Sequence, residues 1–201
     1  MKYRLFLLVA MFSGRVLASP AEVVTPSGQN LVAVEYSSSG KQSGCGLRAT
    51  GVTPQNLSLN ILITVFLKSS GGTFGVVKVV ARNVEPNNGI VQDGDATYKT
   101  LGKIRKAWIK PDAVSPPRVF KNGQSLHNDA YMVSTEFTGT VELITAMSRA
   151  NFRVGLNRSG SGADEVFQFN QRINAEQGAK LSLCMSNLRS AIEESKTSKS
   201  F

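Results

Sequence analysis

Two cysteines, Cys45 and Cys184, constrain the fold of this chain more than any other feature of its sequence. They lie 139 positions apart in a chain of 201 residues that contains no third cysteine. In an oxidising compartment two thiols normally form a disulfide, so only one pairing is available. Closing a loop of this length stabilises a fold by about 5 kcal/mol in the entropic model. We therefore predict a structural disulfide that ties the end of the domain to its beginning.

The N-terminal segment indicates the compartment in which that bond can form. A basic start precedes an apolar run, Leu5 to Phe12. Residues with small or medium-sized side chains follow and end at Ala18. This succession is typical of a secretory signal peptide, and the run is shorter than the roughly 20 residues that span a bilayer. A retained anchor is the alternative. We predict a signal peptide at 1–18, cleavage before Ser19, and a secreted or periplasmic protein without a transmembrane segment.

Basic residues outnumber acidic ones in this chain. The full sequence has 23 Lys and Arg against 14 Asp and Glu. Lys2, Arg4 and Arg15 leave with the predicted signal peptide, so 20 basic residues remain against 14 acidic ones. A positive excess favours encounters with anionic surfaces. The expected partner is another protein or an anionic envelope surface, with nucleic acid less favoured.

Most of the remaining chain has the composition and alternation of β-strands. β-branched runs flank the turn Lys68–Gly72, and a second hairpin surrounds the glycine-rich turn Arg158–Ala163. The predicted strands are Leu31–Ser37, Leu57–Leu67, Thr73–Val84, Tyr131–Met147, Asn151–Asn157 and Asp164–Phe169. We predict a mainly β (α+β) fold, a single antiparallel β-sandwich-like or bent-sheet domain over 19–196 with a C-terminal amphipathic helix and a polar tail at 197–201.

The predicted C-terminal helix carries one of the two cysteines. Its apolar face repeats at intervals of three or four residues: Leu181, Cys184, Leu188 and Ile192. Asn174, with Gln177 three residues later, resembles a capping box that starts a helix near Ala175. Cys184 would then face inward, and the disulfide would pin the helix to the early glycine-flanked segment Ser43–Arg48.

A basic segment in the middle of the chain is the candidate binding site. Its apolar positions at helical spacing are Leu101, Ile104 and Trp108. Lysines form a second stripe, which favours a helix, whereas a strand would place Lys106, Trp108 and Lys110 on one face. The candidate binding residues are Lys99, Lys103, Lys106, Trp108 and Lys110. A carbohydrate- or lipid-surface binder acting through the 99–110 segment is therefore one alternative function.

Residues suited to catalysis are sparse. His127 is the only histidine and lies in a polar, loop-like stretch, so two-histidine metal sites are excluded. Glycine motifs that bind phosphates or dinucleotides are absent, and the adjacent acids Asp164 and Glu165 are interpreted as solvated. We predict no catalytic residue, cofactor or metal, and an exported, disulfide-stabilised, non-catalytic binding or envelope-associated protein. A secreted hydrolase using His127 is the other alternative.

Overall fold

The computed structural model describes residues 22–38, 40–85, 89–90, 101–114, 116–120, 123–159 and 162–197. The first strands are β1 (Val23–Val24), β2 (Ser27–Ser38), β3 (Lys41–Val52), β4 (Leu57–Leu67), β5 (Thr73–Glu85) and β6 (Gly89–Ile90). They are followed by β7 (Ile104–Pro111), β8 (Arg118–Phe120), β9 (Gln124–His127) and β10 (Ala130–Thr135). The last elements are α1 (Phe137–Arg149), β11 (Phe152–Arg158), β12 (Glu165–Phe169) and α2 (Ala175–Thr197). Neither described helix is long and apolar enough to cross a membrane.

The strands form two sheets. A seven-stranded sheet has the order β2-β3-β4-β5-β10-β9, with β6 paired to β5, and a five-stranded sheet has the order β1-β12-β11-β7-β8. The neighbouring strands are antiparallel, apart from the parallel pair β1 and β12. One contiguous core contains buried residues from both sheets and both helices. The prediction of a mainly β, antiparallel, sandwich-like fold with a C-terminal helix is confirmed.

Both predicted hairpins are present. β4 and β5 pair continuously from Leu57 opposite Asn83 to Leu67 opposite Thr73. The turn between them includes Gly71, whose φ of 82° is in the left-handed region that favours glycine. β11 and β12 form the second hairpin across the predicted glycine-rich turn. Turn residues between two β-branched runs therefore located these pairs correctly.

The predicted strand Tyr131–Met147 is wrong in its second half. β10 ends at Thr135, and the following residues form the helix α1. The same run contains residues at helical spacing that reach the core, including Leu143, Ile144 and Met147. This run fits both the two-residue period of a strand and the 3.6-residue period of a helix. Packing against the core selects the helix for its second half.

Gly139 lies near the start of α1 and is buried. The guanidinium of Arg118 donates a hydrogen bond to the Gly139 carbonyl, and a Cβ at position 139 would lie 2.6 Å from Arg118 Nη1. The absence of a side chain therefore lets the arginine of β8 approach the helix backbone.

The predicted C-terminal helix and its cap are confirmed. α2 begins at Ala175, and the Gln177 backbone N–H donates to Asn174 Oδ1 at 2.8 Å. The Gln177 side chain does not complete a capping box, because its Oε1 accepts a hydrogen bond from the Ala33 N–H at 3.0 Å. Ala33 belongs to β2, the edge strand of the seven-stranded sheet, so α2 satisfies a backbone donor that would otherwise lack a strand partner.

The Cys45–Cys184 disulfide is formed, with the two Cα atoms 5.9 Å apart. Both cysteines are buried, and Leu188, one helical turn further along α2, is buried beside them. Cys45 lies within β3, so the bond fastens α2 to the interior of the seven-stranded sheet. The predicted covalent link between the two ends of the domain is confirmed.

A buried arginine connects the two sheets. Arg158, at the end of β11, is 4% exposed and its Nε lies 3.1 Å from Glu165 Oε2. Its Nη1 donates to the Gly102 carbonyl at 3.1 Å, and its Nη2 donates to the Ala81 carbonyl of β5 at 3.2 Å. Every edge of the guanidinium therefore has a partner, as a buried cation requires. Glu165 is an ion-pair partner here, which corrects its interpretation as a solvated acid.

Candidate functional site

The basic segment is a strand, so the predicted helix is wrong. Ile104–Pro111 forms β7 between β11 and β8, and Ala107 and Ile109 alternate into the core. A side chain at Gly102 would overlap with the Ser159 carbonyl, so the chain enters β7 in close contact with the turn after β11. Burial of alternate residues outweighs the helical spacing that the sequence also contains.

β7 places Lys106, Trp108 and Lys110 together on the face of the sheet that points away from the core. Each of the three is half-buried, and Lys103, just before the strand, is exposed. Trp108 is therefore outside the core. Lys99, the remaining candidate, lies outside the described residues. The strand alternative thus describes the arrangement of the candidate residues correctly.

Neighbouring strands extend this surface with residues that the sequence reasoning did not select. On β11, Arg153 lies opposite Lys110 and Asn157 lies opposite Lys106. Arg153 is exposed, and its Nε donates to Gln168 Oε1 of β12 at 2.8 Å. We call this outer surface of the five-stranded sheet, with Lys106, Trp108, Lys110 and Arg153 at its centre, the basic face.

The Trp108 indole is held in one orientation. It covers Gly155, and any side chain at position 155 would overlap with the ring. Trp108 Nε1 donates to Asp164 Oδ2 at 2.7 Å, and Asn157 Nδ2 donates to Asp164 Oδ1 at 3.0 Å. Asp164 is half-buried and fixes both neighbours, which corrects its interpretation as a solvated acid.

The hairpin prediction contained a signal for this cluster. β11 and β12 pair with Leu156 opposite Glu165, so the next residues toward the turn are Asn157 and Asp164. Two polar residues that flank a predicted hairpin turn symmetrically are expected to lie side by side. The contact of Asp164 with Trp108 had no comparable local signal, because the two residues are 56 positions apart.

An apolar row crosses the basic face at right angles to the strands. The strand register aligns one residue from each of the five strands: Val23, Val166, Gly155, Trp108 and Val119. Val23 is 47% exposed and Val119 is 39% exposed, whereas Trp108 shields the middle of the row. At about 4.8 Å between strands, the apolar row is roughly 19 Å long. Lys106 lies on one side of it, and Lys110 with Arg153 on the other.

The catalytic alternative depends on His127. The backbone of His127 lies in β9, opposite Ala130, so the loop expected there is a strand. The side chain of His127 is outside the described residues. Among the described His, Cys, Asp and Glu residues, no group of three or more could hold a metal ion.

No protein-family model, curated protein or solved structure was found to match this chain. The chemistry of the described residues is therefore the basis for a functional proposal. The basic face is the arrangement in which the largest number of candidate binding residues come together.

Proposed function

We propose that this chain is exported and is a non-catalytic binding protein, whose basic face contacts an acidic surface of another protein. The observation that carries the proposal is the apolar row centred on Trp108 with cations on both sides. Protein interfaces combine an apolar centre with a polar rim, and Trp and Arg are enriched among the residues that dominate binding energy. Lys106, Lys110 and Arg153 supply the charge that would attract and orient an acidic partner.

A protein partner is favoured over an anionic membrane by the geometry of Trp108. Its ring covers Gly155 and its N–H is bonded to Asp164, so the indole is not directed outward to enter a lipid interface. Asp164 also places a carboxylate within the basic face, which would be repelled by anionic headgroups. A protein surface can place a hydrogen-bond donor at a fixed position opposite that acid, whereas the headgroups of a lipid surface have no fixed positions.

Export is supported by the disulfide and by the N-terminal sequence. The Cys45–Cys184 bond fits a protein that is stabilised for an extracellular or periplasmic compartment. We expect mass spectrometry of the exported protein to show an N-terminus at or near Ser19. Recovery of the uncleaved chain from the cytosol would contradict export.

An affinity pull-down with the mature protein tests the binding function. Bound proteins would be identified after elution with increasing salt, because exposed charges are screened within about 8 Å at physiological ionic strength. We expect one partner with an acidic surface that elutes early. Retention of anionic vesicles or glycans, and of no protein, would contradict the choice of partner and support the alternative surface binder.

The hydrolase alternative needs a separate test. His127→Ala should leave partner binding unchanged if the protein is a binding module. A hydrolytic activity of the mature protein that disappears in His127→Ala would contradict the non-catalytic assignment.

A further inference from the structure

An apolar groove lies between the two helices, away from the basic face. Its volume is about 750 Å³, and the backbone N–H of Ile173, just before α2, donates to the Ser148 carbonyl of α1 at 3.4 Å. The apolar side chains that line it are Phe137, Val141, Ile144, Ile173, Leu181, Met185, Leu188 and Ile192. Ile144 and Leu188 are fully buried, whereas the others are half-buried. The two helices therefore leave apolar surface that neither of them covers. We call this feature the interhelical groove.

The two hydroxyl groups on the α1 wall of the interhelical groove both donate within α1. Thr145 Oγ1 donates to the Val141 carbonyl at 2.9 Å, and Ser148 Oγ donates to the Thr145 carbonyl at 2.8 Å. These hydroxyls can still accept from an N–H, but they have no proton left for a C=O, so an extended peptide would bury carbonyl groups against them without donors, which is costly. The wall therefore favours an occupant whose buried part has no polar groups.

The size of the interhelical groove favours a small ligand over a docked helix. A volume of 750 Å³ is within the range of small-molecule sites. A helix about 10–12 Å in diameter occupies roughly 500 Å³ per turn, so the groove would hold fewer than two turns. A single alkyl chain fits this space better than a third helix does.

The rim of the interhelical groove is positively charged. Arg149 of α1 and the α2 residues Arg189 and Lys196 line it, together with Glu193. Glu193 Oε1 lies 3.1 Å from Arg189 Nε, so this acid is paired. Neither Arg149 nor Lys196 forms an ion pair with any acid in the described part of the chain. Two cations therefore remain available for an anionic headgroup.

We propose that the interhelical groove binds a long-chain fatty acid, with the alkyl chain between α1 and α2 and the carboxylate at Arg149 or Lys196. This inference goes beyond the proposed function and does not rest on it. The apolar lining accounts for burial of the chain, and the unpaired cations account for recognition of the head. The basic face contributes no residue to the groove.

Gly178 offers a direct way to fill the interhelical groove. It lines the groove, and a Cβ at this position would contact only Ile173 Cγ2, at 3.9 Å. Gly178→Phe should therefore project a ring into the groove without a backbone clash, and Gly178→Ala is the matched control. Thr145→Phe, from the exposed side of α1, fills the groove from the opposite wall and makes the result independent of any effect on α2 folding.

The experiment measures displacement of a fluorescent long-chain fatty acid by palmitate from the mature, oxidised protein. We expect Gly178→Phe and Thr145→Phe to lose palmitate affinity at least about tenfold, which corresponds to 1.4 kcal/mol, and Gly178→Ala to bind within twofold of the wild type. Circular dichroism and thermal unfolding would show that each variant is folded. Absence of palmitate binding to the wild type, or unchanged binding by both folded Phe variants, would overturn the proposal.

The headgroup assignment is tested with ligands and rim variants. Hexadecanol, which lacks the carboxylate, and octanoate, which has a short chain, should both bind at least about tenfold more weakly than palmitate. Arg149→Gln combined with Lys196→Gln should weaken palmitate binding several-fold and leave hexadecanol binding unchanged. Equal binding of palmitate and hexadecanol would overturn the assignment of a fatty acid. Charge reversal on the basic face should leave palmitate binding intact, so failure of this inference is distinguishable from failure of the proposed function.

Discussion

The two faces of the five-stranded sheet are made by the same strands and have opposite chemistry. On β11, Phe152 and Leu156 are buried in the core, whereas Arg153 is exposed on the other side. On β7, Ile109 is buried and the adjacent Lys110 is half-buried among polar neighbours. Alternation along a strand thus separates residues that stabilise the fold from residues that remain available to a partner. Changes on the inner face should alter stability, and changes on the basic face should alter binding.

The largest effect is expected from Arg158, which anchors the five-stranded sheet to β5. Arg158→Ala leaves the Gly102 and Ala81 carbonyls and the Glu165 carboxylate without their shared partner. We expect the free energy of unfolding to fall by about 3–5 kcal/mol, chiefly because two carbonyls lose a buried donor at about 1–3 kcal/mol each. The Glu165 side chain is 37% exposed, so water can solvate its carboxylate and the lost ion pair adds little. Urea unfolding followed by Trp108 fluorescence would measure the change.

Arg153→Ala is the matched control for that experiment, because the same substitution is made on the same strand but on the basic face. Its stability should stay within about 0.5 kcal/mol of the wild type. Equal losses from the two arginine variants would contradict the division between the faces.

The second effect concerns the covalent link between α2 and β3. Replacement of Cys45 and Cys184 by serine should lower the free energy of unfolding by about 2–5 kcal/mol. Partner binding through the basic face should stay unchanged, since the bond joins α2 to the other sheet. Palmitate binding should weaken, because Cys184 fixes one wall of the interhelical groove. Thiol titration of the native protein should detect no free cysteine, and two reactive thiols would contradict the structural role.

Features with a local sequence signal could be predicted. The hairpins followed from turn residues between β-branched runs, and α2 followed from its apolar spacing and the Asn174 cap. The disulfide needed only a count of cysteines and a compartment. Each of these depends on residues that are close in sequence or unique in the chain.

Features decided by distant contacts could not be predicted. Tyr131–Met147 and the 99–110 segment each fit both a strand and a helix. Packing against the core selected a strand for Ile104–Pro111 and Ala130–Thr135, and a helix for Phe137–Arg149. Arg158 is anchored by carbonyls 56 and 77 positions away, which no local pattern indicates. The apolar row exists only because the register of five strands aligns residues that are scattered through the sequence.

A smaller stability effect is expected from Trp108, which lies on the basic face but supports Asp164. Trp108→Ala should cost about 1–3 kcal/mol, because Asp164 loses a hydrogen-bond partner. Partner affinity should fall by about 2 kcal/mol or more if Trp108 is the centre of the interface. A stability loss of about 3–5 kcal/mol, as for a core aromatic, with unchanged affinity would place Trp108 in a structural role only.

The smallest stability effect and the clearest binding effect are expected from charge reversal on the basic face. The variant combines Lys106→Glu, Lys110→Glu and Arg153→Glu. Its matched control reverses three exposed cations of the seven-stranded sheet region: Lys41, Arg48 and Lys68. Both variants change the net charge equally. Binding isotherms for the partner identified by pull-down would be recorded at low and high salt.

We expect both variants to fold, with stability changes of about 0.5 kcal/mol or less per substitution. The basic-face variant should bind the partner at least about tenfold more weakly at low salt and lose most of the salt dependence, because the charges that attract the partner are reversed. The control should bind like the wild type. Unchanged affinity in the basic-face variant, or an equal loss in both variants, would contradict the assignment of the basic face as the binding surface.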